Sequence, residues 1–280
     1  MKLETSILII SFVISVILGI IIIPILRKLK VGQIERDDGP KSHLKKQGTP
    51  TMGGIIMIIT MILVVTGTYI YLNMIGQISL GNKLLPILLL TIGFGLIGFI
   101  DDFKKLVLKN TKGLKPSYKM LGLLIISTIY VVYLVYGVKI GTDTYIPILK
   151  QYLMLPVYLY IPFVIVVILG TTNAVNLTDG IDGLSSSVCA IIITCLTIIG
   201  NMKGLIEISL LGSITIGATL GFLMFNLHPA KVFMGDTGSL LLRRCYFSNS
   251  SLFKNAIITN NNCNYTSSGN IISYFTSSIF

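Results

Sequence analysis

Seven apolar stretches constrain the fold of this chain more than any other feature. They cover residues 6–26, 52–72, 84–100, 120–136, 156–170, 184–199 and 210–227. A helix needs about 20 apolar residues to cross a bilayer, and most of these stretches approach that length. Hydrophobic residues make up 53% of the chain and charged residues 12%, with a mean hydropathy of +0.84, which excludes an ordinary soluble globule. We therefore predict an all-α, polytopic transmembrane helical bundle.

Positive charge is concentrated in alternate loops. Seven Lys or Arg residues lie between residues 27 and 46 and six between residues 104 and 119, whereas each intervening loop carries only one or two. By the positive-inside rule the N-terminus lies outside and the basic loops face the cytoplasm. The formal charge of +11 then indicates attraction to anionic lipid, and we expect no nucleic acid partner.

Acidic residues cluster at the ends of apolar stretches. Five of the eleven fall in three groups: Asp101 with Asp102, Asp179 with Asp182, and Asp236. A carboxylate near hydrocarbon costs several kcal/mol unless a cation or hydrogen bonds stabilise it. The predicted topology places all three groups on the cytoplasmic side. We therefore expect them to converge in one cleft that binds a divalent metal or a phosphate.

Each motif also has a simpler interpretation. The loop over residues 37–54 could be a solvated connection, although its lysines, hydroxyls and glycines before a helix suit a phosphate. Lys104 and Lys105 could merely solvate the Asp101-Asp102 pair, and Asp236 could merely cap a helix. Residues 173–183 are harder to dismiss, because four amide or carboxylate side chains there lie between two apolar spans.

Four motifs together carry a resemblance to a known family. They are Lys-Ser-His-Leu-Lys-Lys-Gln-Gly-Thr-Pro-Thr-Met-Gly-Gly at residues 41–54, Asp-Asp at 101–102, Asn-Ala-Val-Asn-Leu-Thr-Asp-Gly-Ile-Asp-Gly at 173–183 and Val-Phe-Met-Gly-Asp-Thr-Gly-Ser at 232–239. Up to about residue 240 the chain closely resembles the phospho-N-acetylmuramoyl-pentapeptide-transferase family, integral membrane enzymes of bacterial peptidoglycan synthesis.

The resemblance implies ten transmembrane helices, usually in a homodimer, in the bacterial inner membrane. It also implies Mg²⁺-dependent transfer of phospho-MurNAc-pentapeptide from UDP-MurNAc-pentapeptide to undecaprenyl phosphate, which gives lipid I and UMP at the cytoplasmic face. Phosphoryl exchange needs positioning and charge neutralisation more than a strong nucleophilic side chain, so these residue types suit the reaction.

The family pattern implies roles for individual residues. It makes Asp101, Asp102 and Asp236 catalytic, with Asp236 the metal ligand. Phe233 could stack on uracil. The implied substrate-binding residues are Lys46, Thr51, Lys119, Asn173, Asn176, Asp179, Asp182 and Phe233.

Two features depart from the family pattern. Leu123 stands where the family commonly has glutamine, which puts one local hydrogen bond in doubt. The family also has a further cytoplasmic loop with a run of histidines, whereas this chain contains only His43 and His228.

The composition of the chain changes abruptly after about Arg243. The remaining residues are rich in Ser and Asn and contain no apolar run long enough to span a bilayer. We predict an incomplete transmembrane phosphotransferase domain over residues 1–240, with seven of the ten implied spans, and an aberrant polar tail over residues 241–280. Translation in a shifted reading frame would explain the tail and predicts an inactive chain; the alternative is a natural polar extension.

Two other functions fit parts of the pattern. Another polyprenyl-phosphate N-acetylhexosamine-1-phosphate transferase would share the aspartates, although the Thr-Pro-Thr-Met-Gly-Gly loop favours the first assignment. A membrane transporter would also place carboxylates among helices. It predicts polar residues near the bilayer midplane and often paired repeats, neither of which the sequence shows.

Overall fold

The computed structural model describes residues 2–29, 49–106, 113–137, 142–146, 151–176 and 182–242. Long helices account for most of these residues, and six of them are long and apolar enough to cross a membrane. The predicted all-α polytopic bundle is confirmed. The helices are α1 (Leu3–Lys28), α2 (Gly54–Met74), α3 (Ile78–Leu106), α4 (Pro116–Val132), α5 (Val157–Asn176), α6 (Leu184–Met202), α7 (Ile206–Asn226) and α8 (residues 235–242).

Local structure differs from the prediction in three respects. Helix α3 continues to Leu106, beyond the predicted end of the span at residue 100, so Asp101 and Asp102 are helical. Helix α4 continues as a π-helical turn over Tyr133–Gly137. Beyond it, strands β1 (Asp143–Ile146) and β2 (Gln151–Met154) form an antiparallel pair that the hydropathy pattern did not predict.

Helix α7 lies at the centre of the bundle. Of the 18 consecutive residues that form its most apolar stretch, 78% are buried, whereas the corresponding share in α1 is 28%. Helix α1 packs directly on α7: Ser11 Oγ donates to the Ile214 carbonyl at 2.7 Å and Ser15 Oγ to the Ala218 carbonyl at 2.8 Å. Gly217 faces the α1 backbone so closely that a Cβ would collide with it. Small residues and hydroxyls replace the hydrophobic effect as the means of helix association in lipid.

Two groups of helices build the core, and α3 joins them. One hydrophobic cluster is formed mainly by α1, α2 and α7, and the other by α3, α4 and α5. Helix α8 also lies at this junction, because Leu240 belongs to the second cluster and Leu241 and Leu242 to the first. The C-terminal end of α3 and the start of α8 are thereby brought together.

The outward faces of the bundle are apolar. Large aliphatic side chains on four different helices are more than half exposed. Such surfaces are costly in water and suit the hydrocarbon of a bilayer. The chain is therefore a multi-pass membrane protein. Examples of these side chains are Ile20, Ile129, Val166 and Ile191.

Candidate active site

The candidate site begins with two carboxylates at the C-terminal end of α3. Asp101 and Asp102 are only 2% and 5% exposed. Consecutive residues on an α-helix point about 100° apart, so the two side chains reach different neighbours. Asp101 faces the lysines of α3 and α4, whereas Asp102 faces the first turn of α8.

Asp101 and Asp236 share the same two ammonium groups. Lys105 Nζ lies 2.9 Å from Oδ2 of each carboxylate. Lys119 Nζ lies 3.1 Å from Asp101 Oδ2 and 2.9 Å from Asp236 Oδ2. These four side chains, from α3, α4 and α8, are called the ion cluster below. The predicted convergence of the first and third acidic groups is confirmed.

The loop before α4 closes over Asp101. The Leu114 N–H donates to Asp101 Oδ1 at 2.8 Å. Gly113 makes this approach possible: its φ of +62° is in the left-handed region, and a Cβ there would lie 2.6 Å from the same oxygen. Both oxygens of Asp101 are therefore held in one orientation.

Asp102 accepts hydrogen bonds from the first turn of α8. Its Oδ2 accepts from the Thr237 N–H at 2.9 Å and from the Thr237 hydroxyl at 2.7 Å, and its Oδ1 accepts from the Asp236 N–H at 3.2 Å. Unpaired N–H groups at a helix N-terminus favour a negative partner, and here a different helix supplies it. Gly98 lets α3 approach this turn, because a Cβ on Gly98 would collide with the Asp236 carbonyl.

The segment before α2 pairs with the segment before α8. The Phe233 N–H donates to the Pro50 carbonyl and the Gly53 N–H to the Phe233 carbonyl, both at 2.8 Å. Thr51 is buried between them, and a Cβ on Gly235 would lie 3.0 Å from Thr51 Oγ1. The structure therefore brings Thr51 and the backbone of Phe233, two predicted substrate-binding residues, beside Gly235, the residue that precedes Asp236.

Asp182 makes a separate contact with the loop that joins α7 to α8. Its Oδ2 is 3.1 Å from His228 Nδ1 and accepts a 3.4 Å hydrogen bond from the Ala230 N–H. This residue therefore links the start of α6 to the loop between α7 and α8. It is not one of the four side chains of the ion cluster.

Four other predicted site residues are described only in part or not at all. Lys46 and Asp179 lie outside the described residues, and for Asn173 and Asn176, at the end of α5, only the backbone is described. Leu123, the departure from the family pattern, is 4% exposed and packs in the α3–α5 core.

The carboxyl of Asp236 has a depressed pKa. Burial by itself would raise this pKa, but the positive charges of Lys119 and Lys105 lower it below the usual range of an aspartate. The two ammonium groups therefore stabilise the ionised form of the Asp236 carboxyl.

Comparisons with known proteins decide the family. A family model described as glycosyl transferase family 4 matches residues 84–247. The chain is 45% identical over 236 residues to a phospho-N-acetylmuramoyl-pentapeptide-transferase of Halalkalibacterium halodurans, an alignment that covers 84% of this chain and 70% of the relative. The protein of the same name from Clostridium beijerinckii is 47% identical over 237 residues, covering 84% and 69% respectively. The chain belongs to the phospho-N-acetylmuramoyl-pentapeptide-transferase family. The predicted family is thus confirmed, and the transferase class with it.

The family match contains the whole ion cluster. Asp101, Lys105, Lys119 and Asp236 all fall within residues 84–247. Lys105 is not among the site residues predicted from the sequence of this transferase. Lys105 lies four residues after Asp101, and this spacing places both side chains on one face of a helix. Because the predicted span ended at residue 100, neither residue was expected to be helical, and the spacing carried no information.

The charge of the site favours a bound cation. Asp101 and Asp236 balance the two ammonium groups, and Asp102, which faces the first turn of α8, adds a third carboxylate, so these five side chains carry one excess negative charge. Among the described residues no group of three or more His, Cys, Asp or Glu side chains is arranged to hold a metal. However, Asp101 and Asp236 already turn oxygens towards shared cations, and carboxylate oxygens are the donors that hard divalent cations prefer. The donor set therefore fits such a cation in atom type and charge.

Proposed function

We propose that this protein transfers phospho-MurNAc-pentapeptide from UDP-MurNAc-pentapeptide to undecaprenyl phosphate, giving lipid I and UMP in bacterial peptidoglycan synthesis. Membership of the family supports the reaction class, and the name of the relatives supports the donor. The observation that carries the assignment of the site is the ion cluster, in which three helices bring two carboxylates and two ammonium groups together.

The proposed site faces the cytoplasm, with the N-terminus of α1 outside and the chain in the bacterial inner membrane. The concentration of Lys and Arg in the loops on either side of α2 and α3 supports this orientation. A homodimer is proposed on the resemblance alone.

The ion cluster suits phosphoryl transfer by positioning and charge. The acceptor phosphate is already an oxyanion, so the protein mainly has to hold two anionic groups together. Lys105 and Lys119 can offset phosphate charge, while Asp101 and Asp236 hold their ammonium groups in place. Asp236, with Asp101 beside it, would hold Mg²⁺, which supplies neutralisation and polarisation of the diphosphate oxygens.

Donor recognition is proposed for the segments beside the cluster. Phe233 is partly exposed next to Thr51, where its ring can stack on uracil. The resemblance adds further polar groups to this pocket, namely Lys46, Asn173, Asn176, Asp179 and Asp182.

The test is a transfer assay on membranes that contain this protein. Labelled UDP-MurNAc-pentapeptide and undecaprenyl phosphate should yield UMP and an organic-soluble labelled product, and EDTA should abolish both. Membranes lacking the protein are the control. Product from UDP-N-acetylhexosamine in place of the muramoyl donor would instead establish the neighbouring hexosamine-phosphate transferase. Because the polar tail is expected to abolish the activity of this chain, a version in which the residues after about 242 are replaced by an apolar, histidine-containing ending is assayed beside it.

A further inference from the structure

We propose that Asp102 is a positioning residue that holds the backbone of Asp236 and Thr237, and that it is not the proton acceptor of the reaction. This inference rests on the proposed function and refines the division of labour within its site. Adjacent carboxylates invite the assumption of a shared role, but the contacts of Asp101 and Asp102 differ in kind.

The contacts of Asp102 are with the first turn of α8. Three donors, two of them backbone N–H groups, approach its two oxygens at 2.7–3.2 Å. A carboxylate has about four acceptor positions, so most of its capacity is used before any substrate arrives. Asp101, by contrast, directs one oxygen at two partly exposed ammonium groups that can be shared with a phosphate.

The backbone around Asp102 leaves little room for another group. A Cβ on Gly235 would lie 2.6 Å from Asp102 Oδ2, and Gly235 has a φ of +71° that glycine adopts without strain. On α3 itself, Gly98 brings the helix against the Asp236 carbonyl. The carboxylate is thus enclosed by the turn that it binds.

Asp102 influences the ion cluster through the backbone of Asp236. Its hydrogen bond to the Asp236 N–H fixes the backbone from which the Asp236 carboxylate extends to Lys105 and Lys119. Groups that orient a metal ligand in this way commonly change metal affinity or activity by about 10- to 100-fold when they are removed.

Kinetics on three variants separate positioning from proton transfer. Asp102→Asn, Thr237→Val and the double variant should each lower turnover by about 10- to 100-fold and raise the Mg²⁺ concentration needed for half-maximal rate. The double variant should be little worse than Asp102→Asn alone, because the Thr237 hydroxyl acts only through its hydrogen bond to Asp102. The acid limb of the pH–rate profile should stay where it is in the parent protein. Loss of that limb in Asp102→Asn together with additive effects of Thr237→Val would overturn the proposal.

A second measurement needs neither metal nor activity. In metal-free protein, amide hydrogen exchange at Asp236 and Thr237 should be about tenfold faster or more in Asp102→Asn, the scale of one charge-assisted hydrogen bond. Asp101→Asn is the reference variant for this comparison, because it removes a charge from the ion cluster but leaves the hydrogen bonds of these two amides in place. Unchanged exchange overturns the positioning role even if the transferase assay succeeds, whereas faster exchange supports it even if the substrate assignment fails. If Asp102→Asn does not fold, Asp102→Glu, which keeps the charge but displaces the carboxylate from these two amides, is measured in its place, with the same two outcomes.

Discussion

At the scale of single residues, shared partners govern the ion cluster. Each ammonium group contacts both Asp101 and Asp236, so removing one charge disturbs two ion pairs. Lys105 is 38% exposed and Lys119 21%, which leaves their charges accessible to an incoming anion. The proposed contribution of the lysines is therefore the placement of positive charge for the reaction.

Asp236→Asn should lower turnover by about 10² or more. The amide keeps the shape of the side chain but removes one charge from the ligand set of a hard cation, a loss on the scale of one electrostatic contact in a transition state. The measurement is UMP release as a function of Mg²⁺ concentration in a version with the tail replaced. Near-parental activity at limiting Mg²⁺ would place the metal elsewhere.

Lys105→Gln should reduce kcat/KM by about 10² or more, because the two carboxylates then share one ammonium group and the excess negative charge of the site increases. Lys104→Gln is the matched control, since Lys104 is the preceding residue of α3 but takes no part in the ion cluster. The ratio of the two effects on UMP release is the readout. Equal losses would show that only the general positive charge at this end of α3 matters.

At the scale of helices, the packing of α3 against α8 sets the geometry of the site. Gly98 provides the contact, because a Cβ at this position would collide with the Asp236 carbonyl. Asp101, Asp102 and Lys105 all follow it on the same helix. A change of spacing at Gly98 therefore moves one side of the site relative to the other.

Gly98→Ala should destabilise the protein by about 1–3 kcal/mol, the usual cost of overpacking, and should also lower activity. Gly67→Ala on α2 is the control: a Cβ there meets nothing within 4 Å, so the stability should be unchanged or rise by up to about 1 kcal/mol. Thermal unfolding in detergent compares them. Identical midpoints for both variants would contradict the close contact.

Hydropathy predicted the helices well and the chemistry only in part. Apolar length alone located the seven long helices, because a bilayer demands that length. It could not show that α3 continues through Asp101 and Asp102, since the backbone hydrogen bonds persist where hydrophobicity ends. Lys105 was missed for that reason. Nor could residue type reveal that the two aspartates face different partners, which depends on helix rotation and on α8. Strands β1 and β2 have four residues each, which is too short for an alternation of apolar and polar residues to identify them from the sequence.

At the scale of the whole molecule, the two groups of helices meet at α3 and α8. Leu241 and Leu242, just beyond the predicted domain boundary at residue 240, are each 1% exposed in the core. Packing thus continues at least to the last described residue. The polar tail predicted for residues 241–280 otherwise lies outside the described residues and stays a prediction.

We expect this chain to release little or no UMP, and a version in which the residues after about 242 are replaced by an apolar, histidine-containing ending to be active. Inserting Asn260, Asn261, Asn262 and Asn264 into lipid would require polar partners that the tail does not offer. Both proteins are purified side by side and assayed for UMP release. Comparable release from both would refute the shifted reading frame.

The members of the ion cluster are synthesised at different times. Asp236 is synthesised 131 residues after Lys105, when α1 to α7 have already been made. Until then Asp101 has Lys105 and Lys119 as partners, whereas the partners of Asp102 on α8 have not yet been made. These four side chains together carry no net charge, so the first four helices can pack without the proposed cation. The excess negative charge appears only when Asp236 is made, which is when the proposed cation would first have a site.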